Sequence, residues 1–164
     1  MSVYMRTYDC IQPYGPWSQT EVAWAMGRHL IDFEVVKQCE SGQKELKGEF
    51  NLNSLIQRLE SVSPEERNRV ATQLTVLDEN LNEDEVSRRW LVALLADLYA
   101  KRDVVADPLG EVEKIYADFD YPESVEGFVR YMPASGGYDP AAHSHEQNVA
   151  RLFENWKAFL DSAR

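Results

Sequence analysis

Apolar residues recur three and four positions apart along most of the chain, which is the spacing of one face of an α-helix. The clearest stretch runs from about Glu83 to Arg102, where WLVALLA lies between polar ends. We predict that this stretch forms a central buried helix. Its apolar stripe consists of Val86, Trp90, Leu94 and Leu98, widened by Leu91 and Leu95.

The C-terminal segment repeats this periodicity. We predict a last helix that begins near Ser144, because Ser144 and Gln147 match a capping box, in which side chains and backbone N–H groups bond reciprocally. Its apolar positions again step by three and four, so one face should pack on the core. These positions are Val149, Leu152, Phe153, Trp156 and Leu160.

Two short helices are expected near the N-terminus. Ser18 and Glu21 form a second capping box ahead of EVAWAMGRHL. Asp32 is placed to cap the following segment, FEVVKQCE, and Gly42 is placed to end it.

Proline marks further helix starts, because its fixed φ suits the first helical position. Ser63-Pro64 precedes RNRVATQLTVLDEN, and Asp107-Pro108 precedes LGEVEKIYADF. Pro122 is expected to open another helix, ESVEGFVRYM, which Pro133 stops. Asn82 with Glu85 should begin the central helix.

Patterns typical of β-strands are weak. VYMRTYDCIQ alternates well enough for a short N-terminal strand, and KGEFNLNS is ambiguous, but neither has a hairpin partner. The sequence contains no Gly/Ser linker, repeat or low-complexity tract. We therefore predict a single all-α domain over residues 1–164, a bundle or array of about seven helices.

The net charge of the chain indicates which classes of macromolecule it could bind. The 164 residues include 17 basic and 28 acidic side chains, for a formal net charge of −11. Such a field repels nucleic-acid phosphates and anionic membrane surfaces, so we expect neither as a partner, and it favours a basic protein. The plainer interpretation is that acidity only keeps the protein soluble.

Cysteine and hydropathy patterns favour a cytoplasmic location. Cys10 and Cys39 lie far apart and outside any zinc or redox motif, so we expect free thiols in a reducing compartment. The first twenty residues lack a signal-peptide core, and no apolar run approaches the roughly 20 residues that span a bilayer.

The most unusual local sequence is YADFDYPE, residues 116–123, followed by FVRYMP, residues 128–133. Alternating acids and aromatics suit a binding surface for a basic protein. In the structural alternative, Phe119 and Tyr121 fill the core of a tight turn, the acids cap the next helix, and Arg130 or a neighbouring Arg pairs with them. The candidate binding residues are Tyr116, Asp118, Asp120, Tyr121, Glu123, Glu126, Tyr131 and Tyr138.

Motifs for metal or catalytic chemistry fail on spacing. A calcium loop starting at Asp118 would need Gly where Glu123 stands. The segment from His143 to Glu146 would need a further His at Val149 to match HExxH. No phosphate-binding or nucleophile motif is present, so we predict no metal, no cofactor and no catalytic residues.

Most of the chain, from about Trp17 to Leu160, resembles a family of bacterial domains of unknown function. The resemblance rests on WSQTEVAWAMGRHLIDFEVV, RRWLVALLADLYAKRD, DPLGEVEKIYADFDYPESVEGFVRYMP and NWKAFL. The family has no assigned activity or catalytic residues, so the resemblance implies none. Small acidic proteins of this type are often regarded as candidate immunity proteins encoded beside bacterial toxins, and by analogy the resemblance suggests that role.

Three functions follow from these patterns. The leading hypothesis is a non-enzymatic immunity protein that covers a basic toxin with acids and tyrosines. The second is an enzyme or a small-molecule or metal sensor, with a pocket between helices that uses Asp118, Asp120 or the histidines near 143. The third is an assembly subunit that buries an apolar patch in a homodimer.

Overall fold

The computed structural model describes residues 6–42 and 52–163, and every regular element within these ranges is a helix. The chain is therefore all-α, as predicted. The α-helices are α1 (Tyr8–Ile11), α2 (Gln19–Gly27), α3 (Phe33–Gly42), α4 (Leu52–Glu60), α5 (Arg67–Val76), α6 (Glu83–Ala100), α7 (Pro108–Asp118) and α8 (His145–Ser162). Short 3₁₀ helices span Gln12–Tyr14, Pro64–Glu66, Glu123–Phe128 and Pro140–Ala142.

The predicted capping residues start these helices. Both capping boxes form, at Ser18 before α2 and at Ser144 before α8. Three further helices, α3, α6 and α7, each have a single N-cap residue. Its side-chain oxygen accepts a hydrogen bond from a backbone N–H that has no partner within the helix. The three donor-to-acceptor distances are 3.0 Å at Asp32, 3.3 Å at Asn82 and 3.1 Å at Asp107.

One N-terminal prediction needs correction, and one helix was missed. The proposed strand is wrong over its described part, because residues 8–11 are helical and the carbonyl of Ile11 accepts a hydrogen bond from Trp17 Nε1 at 2.9 Å. Helix α4 was not predicted, although Leu52, Leu55, Ile56 and Leu59 are buried along one face of it. Residues 52–54 of the ambiguous segment belong to α4, and residues 47–51 lie outside the described residues.

Two predicted helices are shorter than expected. Helix α5 ends at Val76 because Asp78 turns the chain, with its carboxylate accepting the N–H of Asn80 at 3.0 Å. The segment after Pro122 is a 3₁₀ helix that stops at Phe128. Its buried residues, Val125 and Phe128, lie three apart, which matches the three-residue turn of a 3₁₀ helix.

The described chain divides into two compact units, residues 6–93 and residues 94–163. In the N-terminal unit, α2 is buried from Val22 to Met26 and packs chiefly against α5. Gly27 permits this packing, because a Cβ there would lie 2.5 Å from the hydroxyl of Thr72. A helix that is apolar on all sides belongs in a core, and α2 forms the core of this unit.

Stacked indoles hold the start of this unit to α6. Trp17 and Trp90 stack with centroids 3.9 Å apart, and the Arg89 guanidinium lies 4.3 Å from the Trp17 ring centroid. Arg89 also pairs with Glu21 at 2.5 Å and donates to the carbonyl of Pro16 at 2.7 Å. One arginine thus satisfies several groups that would otherwise be left unpaired.

In the C-terminal unit, α8 packs against the 3₁₀ helix Glu123–Phe128. Trp156 is fully buried at this contact, stacked 5.9 Å from Phe128 and edge-on to Tyr99 at 5.1 Å. Asn155 adds a polar link by donating to the carbonyl of Gly127 at 2.6 Å. This aromatic cluster fixes the chain on both sides of the segment that carries the candidate site.

Cys10 and Cys39 are both buried, and neither is in a disulfide. Burial raises the pKa of Cys39 to about 11, because the surroundings cannot solvate a thiolate. Among the described helices, none is long and apolar enough to cross a membrane.

Candidate functional site

The candidate site begins at the turn that ends α7. The N–H of Asp120 bonds to the carbonyl of Ala117, and the N–H of Tyr121 bonds to the carbonyl of Tyr116 at 2.9 Å. This pair of bonds is a Schellman motif, which normally places glycine where Asp120 stands. Asp120 and Tyr121 instead adopt φ values of 59° and 61°, a left-handed conformation that costs about 1–2 kcal/mol per residue outside glycine.

Three tyrosines come together beside this turn. Tyr116 is buried, and its hydroxyl donates to Glu126 Oε1 at 3.2 Å. Tyr121 meets the Tyr116 ring edge-on at 5.2 Å, and Tyr131 is tilted against it at 6.3 Å. The two outer tyrosines are 61% and 60% exposed, so they present aromatic area to solvent on a buried aromatic base.

Carboxylates surround these tyrosines in the sequence. Asp118, Asp120 and Glu123 are exposed, and Glu126 is half-buried where it accepts the Tyr116 hydroxyl. We call the whole set the acidic tyrosine surface. It consists of Tyr116, Asp118, Asp120, Tyr121, Glu123, Glu126 and Tyr131.

The expected structural role of this segment is only half correct. Phe119 is buried at 7% exposure, whereas Tyr121 points outward and does not fill the core. No side chain caps the following 3₁₀ helix, because its N-cap residue is Pro122, which carries no side-chain acceptor. The turn therefore has both a buried side and an exposed one.

Arg130 was one of the arginines expected to pair with the acids of residues 116–123, but it binds Glu113 on α7 and Asp107, the N-cap residue before α7. It bonds to Glu113 through Nε at 2.8 Å and to Asp107 through both terminal nitrogens, at 3.1 and 3.2 Å. These bonds hold Arg130, which precedes Tyr131, to the N-cap residue and to the second turn of α7. Sequence spacing did not reveal Glu113 or Asp107 as partners, because the contact spans 17 and 23 positions.

Tyr138 is part of a different cluster. Its hydroxyl donates to Asn148 at 2.7 Å, its ring stacks on His143 at 4.4 Å, and Arg151 lies over it at 4.2 Å. Tyr138 also lines a groove of about 270 Å³ together with His145 and other residues of the same unit. Its ring contacts therefore differ from those of the other three tyrosines, although the groove that it lines also includes Glu126 of the acidic tyrosine surface.

Comparison with known families matches residues 8–164 to the family described as "uncharacterized protein conserved in bacteria (DUF2247)". The chain belongs to this family. Searches of curated proteins and of solved structures gave no match. The match to the DUF2247 family extends over the whole acidic tyrosine surface and assigns no residue a role.

The electrostatics of this DUF2247 surface favour neutral tyrosines. Burial raises the pKa of Tyr116 above its ordinary 10.0, and the bond to Glu126 raises it further, because ionisation would set two negative charges side by side. The pKa of Tyr131 is also raised, first by partial desolvation and then by the charges of Tyr121 and Glu113. The phenols of Tyr116 and Tyr131 therefore remain hydrogen-bond donors at neutral pH.

We expect the protein to lose stability as pH rises above about 10, in part through Tyr116. Its pKa is higher in the folded than in the unfolded state, so its contribution is complete below the unfolded pKa and disappears as pH rises through the folded one. Urea denaturation at about pH 8 and about pH 11 measures the loss, which should be smaller in Tyr116→Phe. Tyr99→Phe, which removes a phenol elsewhere in the same unit, is the control; equal losses in both variants would refute the assignment.

Among the described residues of this DUF2247 protein, no group of three His, Cys, Asp or Glu side chains is placed to hold a metal ion. His143 and His145 do not converge. The Nδ1 atom of His143 bonds to the carbonyl of Asp139 at 2.8 Å, and His145 lines the groove beside Tyr138.

Proposed function

We propose that this protein is a binding protein whose acidic tyrosine surface docks on a basic protein, in the manner of an immunity protein on its toxin. The observation that carries the proposal is the strained turn at Asp120 and Tyr121, which exposes an acid and an aromatic ring where a glycine would be easier to accommodate. Strain of this kind is typical of functional positions.

The composition of the surface supports the same function. Exposed tyrosines supply rigid contact area at a small cost in side-chain entropy, and Tyr121 and Tyr131 are both held against Tyr116 before any partner arrives. The neighbouring carboxylates and the net charge of −11 would speed the approach of a cationic surface. A cytoplasmic location is part of this proposal, since the proposed partner would be met inside the cell.

The test uses a variant that removes charge without disturbing the fold. Asp118→Lys places a cation at the C-terminal end of α7, where the helix dipole favours it, and Asp120→Gly supplies the residue that the turn prefers. We expect the double variant to remain folded, as checked by urea denaturation, and to bind its partner at least about tenfold more weakly. A loss of binding could then not be attributed to unfolding.

The control is Glu154→Lys combined with Asp103→Asn, which changes the net charge equally at exposed positions outside the surface. Tagged wild type, variant and control are used to capture proteins from lysate of the source organism at low and high salt, with quantification by mass spectrometry. The proposal requires one basic protein that wild type and control retain at low salt and that the variant loses. Equal capture by variant and control would rule it out.

The immunity role is tested separately once a partner is captured. Expression of the partner alone should arrest growth, and coexpression of the wild-type protein should restore it. The Asp118→Lys/Asp120→Gly variant should fail to restore growth at equal expression. A captured partner without toxicity would leave a binding protein but exclude the immunity role.

A further inference from the structure

The groove beside Tyr138 lies within the C-terminal unit. Its volume is about 270 Å³, just below the range of drug-sized sites, so it suits a smaller organic molecule. Residues between 126 and 140 and residues of the first two turns of α8 line it. Its apolar lining includes Val129, Met132, Pro133, Val149 and Leu152.

The balance of charge in this groove is opposite to that of the whole chain. Of the described residues that line it, three are basic, Arg130, His145 and Arg151, and one is acidic, Glu126. The chain as a whole has 28 acidic side chains and 17 basic ones. Arg130 is already paired with two carboxylates, and the Glu126 carboxylate accepts a tyrosine hydroxyl. The charge that stays available to a ligand is therefore mainly that of Arg151.

Arg151 is placed to bind an anion. Its guanidinium lies over the Tyr138 ring at 4.2 Å, and its Nη2 atom donates to the carbonyl of Ser135 at 3.3 Å. Neither contact neutralises the charge, and in the described part of the chain no carboxylate pairs with this half-buried side chain. A guanidinium has five N–H donors in one plane, so stacking on a ring leaves its edge free for two parallel bonds to a carboxylate.

The ring beneath Arg151 is fixed before any ligand arrives. Tyr138 stacks with His143 at 4.4 Å, and its hydroxyl donates to the side-chain oxygen of Asn148 at 2.7 Å. The amide nitrogen of Asn148 in turn donates to the carbonyl of Pro140 at 3.0 Å, so the loop before α8 is tied to that helix. A preformed site of this kind pays little ordering entropy when a ligand binds.

We propose that this groove binds a small organic monocarboxylate with an apolar body, the carboxylate pairing with Arg151 and the body packing on Val149 and Leu152. The positive end of the α8 dipole adds to the attraction for the anion. Glu126 sets the selectivity, because a second carboxylate on the ligand would bring a like charge into the same groove. The site does not depend on the proposed protein-binding function, although the groove and the acidic tyrosine surface share Glu126.

The probe is phenylacetate, followed by ¹H–¹⁵N correlation spectra of the full chain. For a ligand of this size we expect a Kd on the order of 1 mM, with shifts in the Arg151 Nε–H signal and in the backbone amides of Val149 and Leu152. Phenylacetamide, which keeps the shape but has no charge, should bind at least about tenfold more weakly, and the cation phenethylamine should not bind. Equal affinity for the acid and its amide, or preference for the amine, would overturn the proposal.

Variants separate the Arg151 contact from general attraction. Arg151→Gln removes the charge and should weaken phenylacetate about tenfold, whereas Arg88→Gln, the same change at an exposed position of α6, should leave its affinity unchanged. Glu126→Gln leaves the contacts of Arg151 in place, keeps an acceptor for the Tyr116 hydroxyl, and should tighten binding about threefold. Wild-type affinity in Arg151→Gln, in protein whose spectrum remains folded, would disprove the contact, and weaker binding in Glu126→Gln would contradict the assigned groove.

Discussion

Replacing Trp156 by alanine should destabilise the C-terminal unit by about 3–5 kcal/mol, the usual cost of truncating a buried tryptophan. The side chain is fully buried and contacts Phe128, Phe153 and Tyr99, so its removal leaves a cavity where α8 meets the 3₁₀ helix after Pro122. Urea denaturation gives the loss, and hydrogen exchange read by mass spectrometry should show lost protection in α8.

Trp156→Phe is the informative control. The indole Nε1 is buried and has no hydrogen-bond partner in the described part of the chain, so phenylalanine removes an unsatisfied donor along with some apolar contact. These effects oppose each other, and we expect a net loss of no more than about 1 kcal/mol. A loss close to that of Trp156→Ala would show that the N–H group is satisfied in solution.

The second large effect is expected at Trp90, where alanine should cost the N-terminal unit about 4–5 kcal/mol. Trp90 is fully buried, stacks on Trp17 at 3.9 Å, and donates from Nε1 to the carbonyl of Glu21 at 3.0 Å. Its removal combines a cavity, a lost ring stack and a lost indole hydrogen bond. Denaturation with exchange measurements on α2 provides the readout.

Trp90→Phe distinguishes the two tryptophans. This variant keeps an aromatic ring but loses the hydrogen bond from Nε1 to the carbonyl of Glu21, so it should cost about 1–2 kcal/mol more than Trp156→Phe. Equal costs for the two phenylalanine variants would mean that the hydrogen bond of Trp90 contributes nothing net. Comparing Trp90→Phe with Trp156→Phe therefore measures what the indole hydrogen bond of Trp90 contributes to stability.

Local chemistry explains why so many helix starts were predictable. Ser18, Asp32, Asn82, Asp107 and Ser144 cap helices through backbone groups no more than three residues away, so the stabilising contact lies within a few letters of sequence. Helix α4 was missed for the opposite reason. It carries a clear apolar face, but the segment KGEFNLNS that leads into it was ambiguous between strand and helix.

The candidate surface was predictable in composition but not in arrangement. Alternating acids and aromatics drew attention to residues 116–131, and the structure does bring Tyr116, Tyr121 and Tyr131 together. Tyr138 was grouped with them on composition alone, yet its contacts are to Asn148, His143 and Arg151. Which tyrosines share a surface depends on contacts between distant positions, and these leave no mark on local spacing.

The sequence by itself determined the all-α class, most helix starts and the acidic character of the protein, because periodicity, capping and charge are properties of neighbouring residues. The tertiary structure alone decided that Phe119 is buried while Tyr121 is exposed, and that Arg130 binds Glu113 and Asp107. Each of these depends on packing between segments far apart in the chain, where burial and pairing follow from the positions of whole helices.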